Sequence, residues 1–195
     1  MKKIPTLFVR VFENKHIKTI TREVTSEMEW VLDGEGIATI KKDGSCSAII
    51  DGLFYKRYDA KRGKKPLIGA IPCSDPDPVT GHWPHWISVE ESNPGDKWFL
   101  EAYKNSEELT DGTYEAIGPH FQTNPYDLDK DILYRHGSEI VTVNRTFDDI
   151  KEYLRTHAIE GLVFWKDGEP QCKIKRSDFG FKWPVTEATL NEIIG

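Results

Sequence analysis

Long apolar runs are missing from this 195-residue sequence. No stretch of about 18 apolar residues occurs, so no membrane-spanning helix is expected. The start, Met1 to Thr6, carries two lysines as a secretory leader would. The apolar stretch behind them is short, and Arg10 and Glu13 interrupt it, so no leader is expected. Cysteine is scarce. Cys46, Cys73 and Cys172 are far apart and odd in number, which gives no disulfide framework and no zinc-ligand spacing. A reducing, cytoplasmic compartment is therefore expected. Internal repeats, Gly/Ser linkers and low-complexity segments are absent, and with this length a single domain over 1–195 is expected. Positive charge is in deficit: 26 Lys and Arg against 32 Asp and Glu give a net −6. That balance argues against a general nucleic-acid coat.

What is present is unevenly spread. Lys56 to Lys65 holds six basic residues and one acid, and Lys173 to Lys182 holds four basic residues and one acid. Two concentrated basic patches on an acidic body suit a phosphate-binding cleft.

The apolar pattern predicts an α+β protein with antiparallel sheets. Residues 5–12 and 16–24 alternate as strands. Ser26-Glu27-Met28-Glu29 has the pattern of a capping box and predicts a short helix through about Leu32. A three-strand antiparallel unit follows, Gly36–Ile40, Ser45–Ile50 and Leu53–Tyr58, with the chain turning at Asp43-Gly44 and at Asp51-Gly52. Residues 61–85, rich in Gly, Pro and Asp, read as a long loop. Its His82 and His85 are separated by a proline, with no Cys or acid at ligand spacing, so no metal is expected there. The Trp-rich segment Trp83–Trp98 reads as packing. Further strands are expected at 86–90, 113–117, 131–134 and 139–143. A helix over 96–106 faces the core with Trp98, Phe99, Ala102 and Tyr103. Thr146 caps a helix over 147–157, with Phe147, Ile150, Tyr153 and Leu154 on one face. A hairpin around Lys166-Asp167-Gly168 joins 162–165 to 171–175, and a short helix over 186–194 ends the chain.

Five charged motifs stand in order: Lys41-Lys42-Asp43-Gly44, then Arg57, then Glu115-Ala116-Ile117-Gly118-Pro119, then Glu160-Gly161-Leu162-Val163-Phe164, then Lys173-Ile174-Lys175. This order and spacing resemble the covalent nucleotidyltransferases, the ATP-dependent RNA and DNA ligases and the mRNA capping enzymes. The resemblance covers roughly residues 30–184. Glu115 to Tyr126 looks like the Glu-x-x-Gly-Pro-x-x-Gln-x-Asn segment of duplex-sealing phage RNA ligases. Gly81-His82, Trp86, Asn124-Pro125-Tyr126, His136-Gly137 and Gly180 to Pro184 look closer to the 5′-to-3′ RNA ligase family known from animals.

That resemblance implies an adenylyltransferase domain acting on ATP and RNA ends with Mg²⁺; the chain lacks the roughly hundred residues of an OB domain, so none is expected, and a monomer is expected. Lys41 would attack the α-phosphate of ATP and carry AMP. A lysine must lose its proton to attack, which burial and nearby positive charge favour. Lys42, on the opposite face of an extended strand, is the alternative nucleophile. Lys173 and Lys175 would act on the α-phosphate and the leaving pyrophosphate. Glu160 would hold the divalent ion, Glu115 the ribose hydroxyls, and Arg57 a phosphate. Ile40 would lie beside the base. The place of the adenine-stacking aromatic falls on Arg135, with Tyr134 and His136 beside it. Lys56, Arg57, Lys61, Arg62, Lys64 and Lys65 would receive RNA phosphates. A capping-type guanylyltransferase, a DNA ligase and a non-catalytic nucleotide- or RNA-binding module remain as alternatives.

Overall fold

A computed structural model of the chain describes residues 3–13, 16–60, 65–78 and 81–194. The protein is mixed α+β, with strands paired almost throughout in the antiparallel sense. It divides into two compact units. One comprises Met1–Lys3 and Asp43–His136, the other Ile4–Lys42 and Gly137–Gly195.

The second of these units holds a hairpin, β1 (Phe8–Glu13) with β2 (His16–Val24), and a four-stranded sheet. The sheet contains β3 (Ile37–Lys41), β10 (Ile140–Val141), β11 (Gly161–Lys166) and β12 (Glu169–Lys175), in the order β10-β3-β11-β12. Period-two alternation sorts its side chains by face. Ala38, Ile40, Leu162, Phe164, Cys172 and Ile174 enter a core with Leu7, Phe8, Ile150 and Leu154. The last two come from helix α2 (Phe147–Thr156), where Thr146 Oγ1 accepts the Asp149 N–H at 3.1 Å. Asp148 and Asp149 in the first turn and Arg155 in the last complement the helix dipole. Burying Ile150 and Leu154 contributes about 1.5–3 kcal/mol each. A terminal helix, α3, spans Glu187–Ile194.

The other unit is a six-stranded sheet of β4 (Ser45–Ile50), β5 (Leu53–Ala60), β6 (Ile71–Pro72), β7 (Trp83–Ser88), β8 (Gly112–Ile117) and β9 (Ile132–Arg135), ordered β6-β7-β5-β4-β8-β9. Helix α1 (Lys97–Lys104) covers one face through Ala102, Trp98, Phe99 and Tyr103, against Ile49, Tyr114, Ala116 and Leu133. Ala48, Tyr55 and Trp86 pack on the opposite face with Cys46 and Cys73. The β4–β5 turn is Asp51-Gly52, with φ of 51° and 73°, and both N–H groups donate to Asp111.

Three expectations need correction. The segment from Ser26 forms only a 3₁₀ turn, Glu29–Val31, because Glu27 at φ 70° leaves the helical region. The strand at 36–40 does not pair with the one at 45–50. β3 lies in one sheet and β4 in the other, so Asp43-Gly44 is a crossing between sheets and not a hairpin turn. Asp51-Gly52 and Asp167-Gly168 both have the paired left-handed φ values of a tight hairpin, whereas neither Asp43 nor Gly44 has a positive φ. The segment 61–85 also contains β6 and the start of β7.

Candidate functional site

The four-stranded sheet presents one polar face, opposite its core. Lys41 on β3 and Lys175 on β12 are both register partners of Gly161 on β11. The three residues thus form a row across the sheet, with no side chain in the middle. One pair of residues back, Thr39, Val163 and Lys173 form a second row. Gly161 is a glycine because an added Cβ would lie 2.2 Å from the Ile174 carbonyl oxygen. Glu160 precedes it, its side chain 8% exposed. Lys41 Nζ donates to Glu160 Oε2 at 2.5 Å, and Lys175 Nζ lies 3.8 Å from Oε1. Lys42 points elsewhere, pairing with Glu139 at 3.1 Å.

Lys173 is a perturbed group on this face. Burial, then the neighbouring charges of Lys41, Lys175 and Arg10, lower its ammonium to about 8, against an opposing pull from Glu160. Arg10 carries no local motif and escapes a reading of the sequence. It reaches this cluster from β1 and donates to Asp178 Oδ1 at 2.7 and 3.1 Å. The other oxygen of Asp178 accepts the Lys175 N–H at 2.8 Å, so the acid fixes both the arginine and the end of β12. Ile40, expected beside a base, turns its side chain into the core and donates its N–H to the Glu139 carbonyl at 3.0 Å.

In the six-stranded unit, Glu115 on β8 faces Cys46 on β4 and Tyr134 on β9 across the sheet. Its Oε1 accepts the Gly44 N–H at 3.2 Å, and its Oε2 lies 2.8 Å from His136 Nε2. The other ring nitrogen of His136 is 2.9 Å from Thr113 Oγ1. Burial, with the Glu115 carboxylate adding to it, pushes the Cys46 thiol up to about 12. Gly44 lies against β8 so closely that a Cβ would meet the Ala116 carbonyl oxygen at 2.2 Å. The glycine of the lysine motif is thus required by contact with the strand carrying Glu115.

Not every expected residue joins these groups. Arg135 is the register partner of Tyr114, not of Glu115, so it lies on the opposite face of the sheet. There its guanidinium donates to Thr110 Oγ1 and Tyr114 Oη at 2.7 and 2.9 Å. His136 and Tyr134 are on the Glu115 side. Lys56 also lies on the α1 face, where its ammonium pairs with the buried Asp96. Arg57 lies on the opposite face to Lys56, with Asp59 at 3.2 Å. Lys65 is exposed; Lys61, Arg62 and Lys64 lie outside the described residues. His85 is buried, with Nδ1 2.8 Å from the Trp83 carbonyl oxygen.

A comparison with protein-family models and with curated proteins found no match to this chain.

Proposed function

We propose that the chain is an ATP-dependent RNA ligase that carries AMP on Lys41. The observation that supports this most is the pairing of Lys41 with a buried acid, on a sheet face that also carries Lys173 and Lys175. Lysines held at a fixed spacing around one carboxylate suit a phosphate chain better than a solvated surface does.

The chemistry assigns each group a task. Lys41 Nζ attacks the α-phosphorus of ATP; the P–N bond forms as the P–O bond to pyrophosphate breaks. Glu160 Oε2, 2.5 Å from that nitrogen, is placed to hold the proton it gives up. Lys173 and Lys175 take the charge that develops on the phosphate oxygens. Glu160 would be the residue to hold a divalent ion such as Mg²⁺, which would supply further neutralisation of the phosphate charge. AMP then passes to an RNA 5′-phosphate, and a 3′-OH displaces it to close the strand. RNA as the second substrate, with Glu115 on the ribose and Arg57 on a phosphate, rests on the sequence resemblance. So does the basic segment Lys61, Arg62, Lys64 and Lys65 as the place where RNA phosphates arrive.

The test is incubation with labelled ATP or GTP, then denaturing electrophoresis and a joining assay with RNA and DNA ends. A covalent AMP band with preferential joining of RNA supports the reading. A GMP band would point to capping chemistry, faster sealing of DNA 3′-OH ends to a DNA ligase, and no band to a binding module. Neutralising Lys61, Arg62, Lys64 and Lys65 together should leave the AMP band intact and weaken joining, and joining by the unaltered protein should fall steeply as salt rises.

A further inference from the structure

Cys46, Glu115 and His136 are separated by 69 and 21 positions, and no local motif links them. The sheet register brings them together. Cys46 sits directly across from Glu115, and His136 lies two residues beyond Tyr134, the residue across from Glu115 on the other side, so it shares that face. The sulfur, a carboxylate oxygen and a ring nitrogen all lie within 4.8 Å of one another. We propose that these three residues form a binding site for a borderline-soft transition-metal ion, with Zn²⁺ as the best fit.

Three features select this chemistry. The donors are one sulfur, one nitrogen and one oxygen, a set that Zn²⁺ accepts and that Mg²⁺ and Ca²⁺ do not. Their orientation is already fixed from behind. Thr113 Oγ1 holds His136 Nδ1, which turns Nε2 towards the cluster, and the Gly44 N–H holds Glu115 Oε1, which leaves Oε2 for the ion. Partners of this kind orient ligands in metal sites generally. The atoms are also close enough. Bond lengths of about 2.0–2.3 Å to Zn²⁺ place tetrahedral donors roughly 3.5 Å apart, so donors that lie within 4.8 Å of one another need to close by roughly 1.3 Å at most. The gap between Glu115 Oε2 and His136 Nε2, now 2.8 Å, must open by roughly 0.7 Å. Binding replaces that hydrogen bond, and the thiol proton of Cys46 passes to solvent. Three protein ligands leave a fourth position for water.

The site has a consequence for catalysis that rests on the ligase reading. Glu115 is the residue that reading assigns to the ribose, so Zn²⁺ and nucleotide compete for one carboxylate. Zinc then acts as an inhibitor of AMP addition at this site, distinct from the Mg²⁺ expected at Glu160.

The experiment is a titration of chelator-stripped, reduced protein with Co²⁺ as the spectroscopic probe. One equivalent should produce a thiolate-to-cobalt charge-transfer band with the intense visible bands of four-coordinate Co²⁺, and Zn²⁺ should abolish them. Cys46→Ser and His136→Gln should each lose the charge-transfer band or its four-coordinate pattern, while Cys73→Ser keeps both. Thr113→Val, which retains all three ligands, should bind about 10–100-fold more weakly. Circular dichroism of each variant separates loss of the site from loss of the fold, and Thr113→Val decides the matter should Cys46→Ser not fold. A wild-type protein without the band, a band that survives in Cys46→Ser, or unchanged affinity in Thr113→Val would overturn the proposal. In a second arm, Zn²⁺ should suppress AMP addition by wild type and less so by Cys46→Ser. A protein that binds Co²⁺ in this way but never takes up AMP would keep the metal site and remove the ligase reading.

Discussion

Glu160 Oε2 accepts from Lys41 Nζ at 2.5 Å, with the Glu160 side chain almost wholly buried and the Lys41 side chain 22% exposed. A pair this close and this shielded from water depends on both charges, since removing one leaves the other buried and uncompensated.

Glu160→Gln keeps the shape and removes the charge from among Lys41, Lys173, Lys175 and Arg10. Under the ligase reading, single-turnover AMP addition should fall by about 100-fold or more. Stability at neutral pH should fall by about 1–3 kcal/mol as the cations lose their partner. Rapid-quench kinetics and urea unfolding measure the two effects. An unchanged rate would remove Glu160 from the reaction.

Lys173 gives a prediction that does not depend on any reaction. Its folded-state value is about 8, against 10.5 for the free group. Above about 10.5 the lysine is neutral in both states and carries no penalty. As pH falls from there to 8, the unfolded chain takes up a proton that the folded chain does not, so the penalty grows; below 8 it is constant. Lys173→Met should therefore be more stable than wild type by on the order of 2 kcal/mol at pH 7. That advantage should shrink as pH rises through 8 to 10.5. Denaturant unfolding of both proteins across this range is the measurement, and a pH-independent difference would contradict the assignment.

Gly44→Ala tests the close approach of the motif to β8. A methyl group there meets the Ala116 carbonyl oxygen at 2.2 Å and the Ile117 side chain at 2.7 Å. Backbone must shift, at a cost of about 1–3 kcal/mol. Thermal unfolding should register it, and a variant as stable as wild type would show that the contact is not tight.

Much of the architecture is legible in the sequence, because alternation and caps are local. Helix α2 follows from Thr146 and its apolar stripe, and β12 follows from an alternation that also places Lys173 and Lys175 on one face. The pairing of β3 is not legible. Asp43-Gly44 and Asp51-Gly52 are the same dipeptide, and only the second adopts the hairpin backbone. Face assignment was within reach of the sequence: Lys56 and Arg57 are adjacent on β5 and must point oppositely, and the same holds for Tyr114 and Glu115 on β8. The Cys46–Glu115–His136 cluster had no such signal, since it exists only through the register of three strands. Arg10 and Asp178 were equally hidden, for they meet across 168 positions of chain.

Under the ligase reading Lys41, and not Lys42, carries the nucleotide. Intact-protein mass spectrometry after incubation with ATP and Mg²⁺ tests it most directly, on wild type, Lys41→Ala and Lys42→Ala. Wild type and Lys42→Ala should each gain one AMP, and Lys41→Ala should gain none with its circular dichroism unchanged. A gain of AMP by folded Lys41→Ala would contradict it.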